Sequence, residues 1–233
     1  MKKVMKTIAA IMLMTAACFA VGCTKPDESN NGTYNGHDYV DLGLPSGTLW
    51  ATCNVGATTP EGHGDYFAWG ETQSKRIYNW ETYKYCNSEN NQLTKYCYNS
   101  SYGYNGFTDN LTILLFEDDF AWVNWGAGWR MPTYEEWMEL YQNTTSIWTI
   151  QKGMNGRLFT SDNGNKLFLP AVGGWNESSI DDVGSIGSYW SSSLYTYDTP
   201  CGAWHFYFIS DYFGMSVSYR YCGRPVRAVH SMR

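Results

Sequence analysis

Residues 203–227 constrain the fold more than any other part of the sequence, because two chemical types of side chain alternate there. Over residues 205–209 the alternation has the two-residue period of a β-strand, which buries one face and exposes the other. Side chains suited to the buried face are Trp204, Phe206, Phe208, Phe213 and Val226. The outward set is predicted to be His205, Tyr207, Ile209, Tyr212, Ser216, Ser218, Tyr219 and Tyr221.

An outward face rich in tyrosine and serine is typical of recognition surfaces. Tyrosine offers a large rigid contact area at low entropic cost, and serine offers adaptable hydrogen bonds. Tyr195 and Tyr197, just before this stretch, join the candidate ligand-binding residues. The alternative is an ordinary aromatic-rich sheet with no binding role.

The N-terminus resembles a bacterial lipoprotein signal. Lys2, Lys3 and Lys6 precede an apolar run over residues 8–21, which is too short to span a bilayer. The run ends in A-V-G-C, which resembles a lipobox, so residues 1–22 are predicted to be removed and Cys23 to carry lipid. Cys18 is the alternative attachment site.

Residues 23–35 read as a flexible polar tether between the lipid and a domain over residues 36–233. Lys25, Asp27 and Glu28 resemble the acidic signal that exports some lipoproteins to the cell surface. Several acyl chains anchor a protein stably without a transmembrane helix. We therefore expect attachment to the outer membrane, with the domain exposed at the surface.

The charge balance argues against nucleic acid as a partner. Without the three signal lysines, 13 basic residues face 22 acidic ones, a formal charge of −9 that repels phosphate backbones.

The cysteines and histidines do not favour a metal site, since no C-x-x-C pair occurs and the four histidines are scattered. No cofactor is expected. Cys86 and Cys97 flank a short loop and are the easiest disulfide to imagine, although the connectivity stays open.

The remaining sequence predicts mostly short antiparallel strands, long loops and about two short helices, an α+β domain. Residues 38–44 and 49–55 read as a hairpin around the turn at residues 45–47. Trp137 and Trp190 are predicted to be core residues. Thr133 and Glu136 form a capping box that predicts a helix over residues 134–143, and residues 117–125 suit a shorter one. Residues 83–110 show no sustained period and are interpreted as a surface insertion.

Several motifs together resemble a known family. They are G-W-R-M-P-T-Y-E-E-W-M-E-L at Gly128, L-F-L-P-A-V-G at Leu167, G-S-Y-W-S-S-S at Gly187 and G-R-P-V-R at Gly223. The chain resembles the FISUMP-type major paralogous domain family over residues 36–233, and Ala228 departs from the family's usual proline. The resemblance implies a C-type-lectin-like fold, which formylglycine-generating enzymes share.

The resemblance does not extend to the catalytic or calcium sites of the wider group. Formylglycine-generating enzymes need two cysteines close together near the C-terminus, whereas Cys201 and Cys222 are far apart in sequence. Calcium-dependent lectins pair W-N-D with a second motif that is missing here, so W-N-E at Trp175 reads as a loop cap. Such an enzyme ranks third among the functions, and no catalytic residue is assigned.

The C-terminal segment also resembles the variable proteins of diversity-generating retroelements. Adenine mutation of Asn-type codons reaches Tyr, His, Ser and Ile but never Lys, Glu or Gln, and these last three are absent from residues 178–233. The sequence therefore predicts a surface lipoprotein that binds an extracellular protein or glycan through this segment. A structural or adhesive component of a surface assembly is the alternative.

Overall fold

Thirteen short β-strands run through residues 31–231, the part of the chain that the computed structural model describes. The strands are β1 Gly32–Tyr34, β2 His37–Asp41, β3 Thr48–Ala51, β4 Trp129–Arg130, β5 Thr144–Gln151, β6 Met154–Ser161, β7 Lys166–Pro170, β8 Val172–Asn176, β9 Ser179–Val183, β10 Gly187–Leu194, β11 Gly202–Phe208, β12 Phe213–Tyr219 and β13 Val229–Ser231. The helices are α1 Phe120–Trp125 and α2 Tyr134–Gln142, with 3₁₀ turns at Tyr104–Gly106 and Phe116–Asp118.

The largest sheet is antiparallel and has the order β1-β2-β3-β13-β4. Strands β2 and β3 pair around a turn in which the Gly47 amide donates to the Leu44 carbonyl at 2.9 Å, which confirms the predicted hairpin. Strand β1 lies in the segment that the sequence assigned to the tether, yet it pairs with β2. The folded part therefore begins before residue 36.

The other strands form three small antiparallel sheets, β5-β6-β7, β8-β9 and β10-β11-β12. In the last of these, His205 lies opposite Ser216 and Tyr207 lies opposite Gly214. Directly opposed residues of an antiparallel pair project to the same side. His205, Tyr207, Ser216 and Ser218 therefore share one face, as predicted. The prediction for Tyr219 is wrong, because Tyr219 lies opposite Gly202 and so projects to the other face, with Trp204.

The expectation of an α+β domain with a C-type-lectin-like fold is wrong. The protein is mostly β, with 39% of residues in strands and 10% in helices, and its small sheets include a curled half-barrel. Residues 144–151, left unassigned by the sequence analysis, form one of the longest strands. Their Thr and Ile side chains favour extended backbone, because β-branching restricts helical rotamers.

Both helices occur where the sequence predicted them. Helix α2 has the capping box, since the Thr133 hydroxyl accepts from the Glu136 amide at 3.3 Å and the Glu136 carboxylate accepts from the Thr133 amide at 2.9 Å. Asp119 is the N-cap of helix α1, and its carboxylate accepts hydrogen bonds from the Ala121 and Trp122 amides. None of the helices in residues 31–231 has the length and apolar character needed to cross a bilayer.

Two clusters of buried side chains make up the core. One surrounds Trp137 of α2 and includes Phe159 and Phe206, and the other surrounds Trp69 and Trp190. The predictions that Trp137 and Trp190 are core residues are confirmed, because neither side chain is exposed.

The interpretation of residues 83–110 as a surface insertion is wrong for residues 83–97, which contribute to the core, whereas residues 98–110 are mostly at the surface. Tyr83, Tyr85, Leu93 and Tyr96 are buried and belong to the core. The segment closes around Arg220, whose guanidinium donates to the Tyr83 hydroxyl and to three backbone carbonyls of residues 95, 96 and 200. An aperiodic sequence therefore packs by wrapping tyrosines around one buried cation.

The Cys86–Cys97 disulfide is not formed. All five cysteines of the described part are free thiols, and the Cys97 thiol donates to the Asn99 carbonyl at 3.2 Å. Burial raises the pKa of the Cys86 and Cys97 thiols, so both are held in the neutral form.

Candidate functional site

A groove runs across the outward face of β11 and β12 and is walled on its other side by the β8-β9 hairpin. It consists of two pockets, of about 670 and about 270 Å³, which share Gly174, Asp182, Val217, Ser218 and Arg224. We call the two pockets together the C-terminal groove. Backbone hydrogen bonds in both directions join Trp175 to Gly223, at 2.8 and 3.0 Å, and hold the hairpin against the segment between β12 and β13 that carries Arg224.

Seven of the ten candidate ligand-binding residues line this groove. Those in the larger pocket are Tyr195, Ser218, Tyr219 and Tyr221. Those in the smaller pocket are His205, Tyr207, Ser216 and, again, Ser218. Of the seven, only His205, Tyr207, Ser216 and Ser218 share a strand face; Tyr195, Tyr219 and Tyr221 reach the groove from other positions.

The other three candidates lie outside the groove. Tyr197, 81% exposed, borders a separate pocket of about 280 Å³ beside Trp204. Tyr212 is exposed and lies near Tyr207, with ring centroids 6.3 Å apart. Ile209 is half-buried, and its carbonyl accepts from Arg157 at 2.8 Å.

Two of the predicted outward residues are buried. Ser218 is only 7% exposed, and His205 is 5% exposed beneath the smaller pocket. Arg224 contacts the Ser218 hydroxyl and Ser188 contacts His205, and a strand period cannot show such contacts from other segments. Trp204, expected inside, is half-buried between Tyr134 and Tyr195.

His205 is a neutral hydrogen-bonding group at the base of the groove. Its Nδ1 lies 2.8 Å from the Ser188 hydroxyl. Burial, with a smaller contribution from the charge of Arg224, lowers the pKa of His205 to about 3. An imidazole of that pKa is a weak base at neutral pH, so the Ser188–His205 pair has poor properties for nucleophilic catalysis.

Three aromatic side chains form a platform at one end of the larger pocket. The rings of Tyr219 and Tyr221 are nearly parallel, with centroids 5.7 Å apart, and Trp80 packs edge-on against both. Tyr219 is 54% exposed, so its ring is open to a ligand. Burial raises the pKa of Tyr221 to about 12, which keeps its hydroxyl protonated as a donor.

The charged residues of the groove were not predicted from the sequence. Asp181, Asp182 and Asp198 are exposed and line its rim, while the half-buried Arg224 lies deeper. Arg224 belongs to the G-R-P-V-R motif, but the motif was read as a family signature and not as a site. Trp80 and Ser188 were also missed, because no periodic pattern links them to residues 203–227.

No metal site is found in the part of the chain that the structure covers, since no three His, Cys, Asp or Glu side chains are grouped suitably there. The W-N-E sequence ends strand β8, with Glu177 in a left-handed backbone conformation and its carbonyl accepting from the Tyr78 amide. Comparison of the chain with protein-family models, with curated proteins and with solved structures finds no match.

Proposed function

We propose that this protein is a lipid-anchored recognition domain of the outer cell surface that binds an extracellular protein or glycan in the C-terminal groove. One observation carries the proposal: seven residues chosen from the sequence alone line a single groove. Pockets that combine aromatic walls with a few convergent polar groups are the usual binding sites of proteins. The lipobox sequence at Cys23, outside the described residues, supports the anchoring.

Binding energy is expected to be concentrated in the tyrosines of the groove. Each combines a large apolar area with a hydroxyl and costs little entropy to order. The purified mature protein would be screened against extracellular proteins and glycans, and the double variant Tyr207→Ala/Tyr219→Ala compared with the wild type. We expect a loss of about 1–3 kcal/mol of binding free energy for each tyrosine.

The matched control is Tyr104→Ala, because Tyr104 is 43% exposed but lies in a 3₁₀ turn that does not line the groove. This variant should bind as the wild type does. A double tyrosine variant that folds normally and keeps full affinity would place the recognition surface elsewhere.

Diversification of the C-terminal segment by a retroelement is part of the proposal. The exposed positions Tyr197, Tyr212 and Tyr219 all carry residues that adenine mutation can reach. The DNA downstream of the coding sequence should then contain a near-identical template repeat and a reverse-transcriptase gene. Their absence from that DNA would remove this part of the proposal and leave the binding function unaffected.

A second candidate function, a component of a surface assembly, is favoured by the edge of strand β5. Gln151 and Met154 flank a two-residue turn and form a hydrogen-bonded pair, so the backbone groups of Ser146, Trp148 and Ile150 point away from β6. No other strand in residues 31–231 pairs with this edge. Strand β5 contains no charged residue, and its Ile147 and Ile150 side chains are 60% and 67% exposed.

An uncharged strand edge of this length is a template for pairing with another chain. Light scattering across a concentration series would distinguish the two functions. If the protein assembles through β5, the wild type forms oligomers and the Ile147→Lys/Ile150→Lys variant stays monomeric. A wild type that is monomeric throughout would exclude assembly through this edge between copies of the chain.

A further inference from the structure

We propose that Arg224 binds the carboxylate of an acidic sugar, so that the ligand of the C-terminal groove is a glycan containing uronic or sialic acid. The inference rests on the proposed binding function and gives the chemical class of its ligand. It comes from the position and the incomplete hydrogen bonding of one guanidinium group.

The guanidinium of Arg224 has hydrogen-bond donors from which no atom in the described part of the chain accepts. Only one hydrogen bond of its side chain is seen, from Nη2 to the Ser218 hydroxyl at 3.2 Å, and Nε is buried without a partner. No carboxylate among residues 31–231 lies within 4.0 Å of it. The buried Arg220, by contrast, donates to four oxygens. A half-buried cation with unused donors is stabilised by an anion that it can bind through two parallel hydrogen bonds.

Gly174 makes room for this side chain. A Cβ atom at position 174 would lie 2.0 Å from Nη1 of Arg224, so any larger residue would displace the guanidinium. The neighbouring Gly173 has a φ of +62°, and a Cβ there would lie 1.9 Å from the Asp181 carbonyl. Gly174 thus lets strand β8 pass close to Arg224, which lines both pockets where they meet, and Gly173 lets β8 lie close to β9.

The rest of the groove determines which anion fits. Asp181, Asp182 and Asp198 at the rim repel a ligand with many negative charges but accept hydrogen bonds from sugar hydroxyls. The exposed ring of Tyr219 offers an apolar face to a sugar ring. His205 is neutral and adds no second positive charge. One carboxylate on an otherwise uncharged, hydroxyl-rich ligand satisfies all these groups, whereas a densely sulfated glycan does not.

Calorimetric titration with defined oligosaccharides tests the inference on the wild-type protein. The probes are trimers containing glucuronic, galacturonic or N-acetylneuraminic acid, the methyl ester of each, and heparin. At least one acidic trimer should bind, and its methyl ester should bind at least about tenfold more weakly, since a charge-assisted hydrogen bond is lost. Heparin should bind more weakly than that trimer.

Variants then assign the contact to Arg224. Arg224→Gln should abolish the preference for the acid over its methyl ester, and Arg224→Lys should restore part of it. Gly174→Ala should weaken binding of the acid by displacing the guanidinium. The control Arg76→Gln, which changes an exposed arginine outside the groove, should bind as the wild type does. Thermal melting would verify that each variant is folded.

Three results would overturn the inference: no acidic trimer binds, the esters bind as well as the acids, or Arg224→Gln keeps the preference of the wild type. The failure of the binding function itself is separate. If a protein or neutral glycan binds, and binding depends on Tyr207 and Tyr219 but not on Arg224, the groove is the site and only its assignment to acidic sugars is wrong.

Discussion

The indole of Trp137 stacks on the ring of Phe206, with centroids 4.7 Å apart and ring planes inclined by 4°. Trp137 belongs to α2 and Phe206 to the inner face of β11, whose outer face forms the groove. The Trp137 indole N–H also donates to the Trp190 carbonyl of β10 at 3.2 Å. One side chain therefore supports two strands of the sheet beneath the candidate site.

Replacing Trp137 by alanine should lower the free energy of unfolding by about 3–5 kcal/mol, because it leaves a large cavity in a packed core. Trp190→Ala should have a similar effect, since Trp190 is equally buried. Urea denaturation would measure both changes. The control is Tyr197→Ala, whose side chain is 81% exposed and should change stability little. Unchanged stability in both tryptophan variants would show that the inward face is assigned wrongly.

Arg220 should be essential for the packing of residues 83–97. Substitution by methionine leaves the carbonyls of residues 95, 96 and 200 without their buried donor, at a cost of about 3–5 kcal/mol. Faster amide exchange in this segment, measured by mass spectrometry, would accompany the loss. Arg76→Met, at an exposed arginine, is the matched control. Equal stability of the two variants would contradict this role of Arg220.

His205 should make the protein less stable in mild acid. Its pKa is about 3 in the folded state and near 6.5 when unfolded, so the unfolded chain binds more protons between these values. The contribution of the neutral His205 to the free energy of unfolding is fully present above pH 6.5 and is lost as the pH falls toward 3. Between pH 7 and pH 5 the loss is about 2 kcal/mol.

Denaturation of the wild type and of His205→Gln at both pH values measures this loss, because glutamine does not titrate. The wild type should lose more stability than the variant on acidification. The same loss in both proteins would mean that His205 is not the titrating group.

Cys23 should be the site of lipid attachment. Cys23→Ala removes the predicted acceptor, so the protein should stop incorporating radiolabelled fatty acid and should either leave the membrane fraction or remain unprocessed. Cys18→Ala is the matched control and should be lipidated normally. Continued labelling of Cys23→Ala with loss of labelling in Cys18→Ala would move the site to Cys18.

Local patterns were enough to predict several elements of the fold. The capping box of Thr133 and Glu136 predicted α2, the turn at residues 45–47 predicted the β2-β3 hairpin, and Trp137 and Trp190 were correctly placed in the core. Each of these features depends on interactions within a few residues or on the apolar character of one side chain. Such signals are present in the sequence itself.

Contacts between distant segments decided the rest. The family resemblance predicted an α+β fold with C-type-lectin topology, but the strands pair as four small antiparallel sheets in a mostly β protein. Residues 83–97 have no period, yet Tyr83 and Tyr96 are buried there because both contact Arg220, more than a hundred residues away. Neither the order of strands nor a distant partner leaves a local trace.

The sequence by itself determined that His205 and Tyr207 lie on one face of a strand and Phe206 and Phe208 on the other, because side-chain direction in a strand follows a period of two. Only the tertiary structure decided how that face is used. The β8-β9 hairpin lines, with Arg224, the pocket above the buried His205 and Ser218, whereas Tyr219 is exposed on the opposite strand face. It also brings Gly174 against Arg224, fifty residues later in the chain, to complete the groove. Burial depends on what packs over a face, and that is a property of the whole fold.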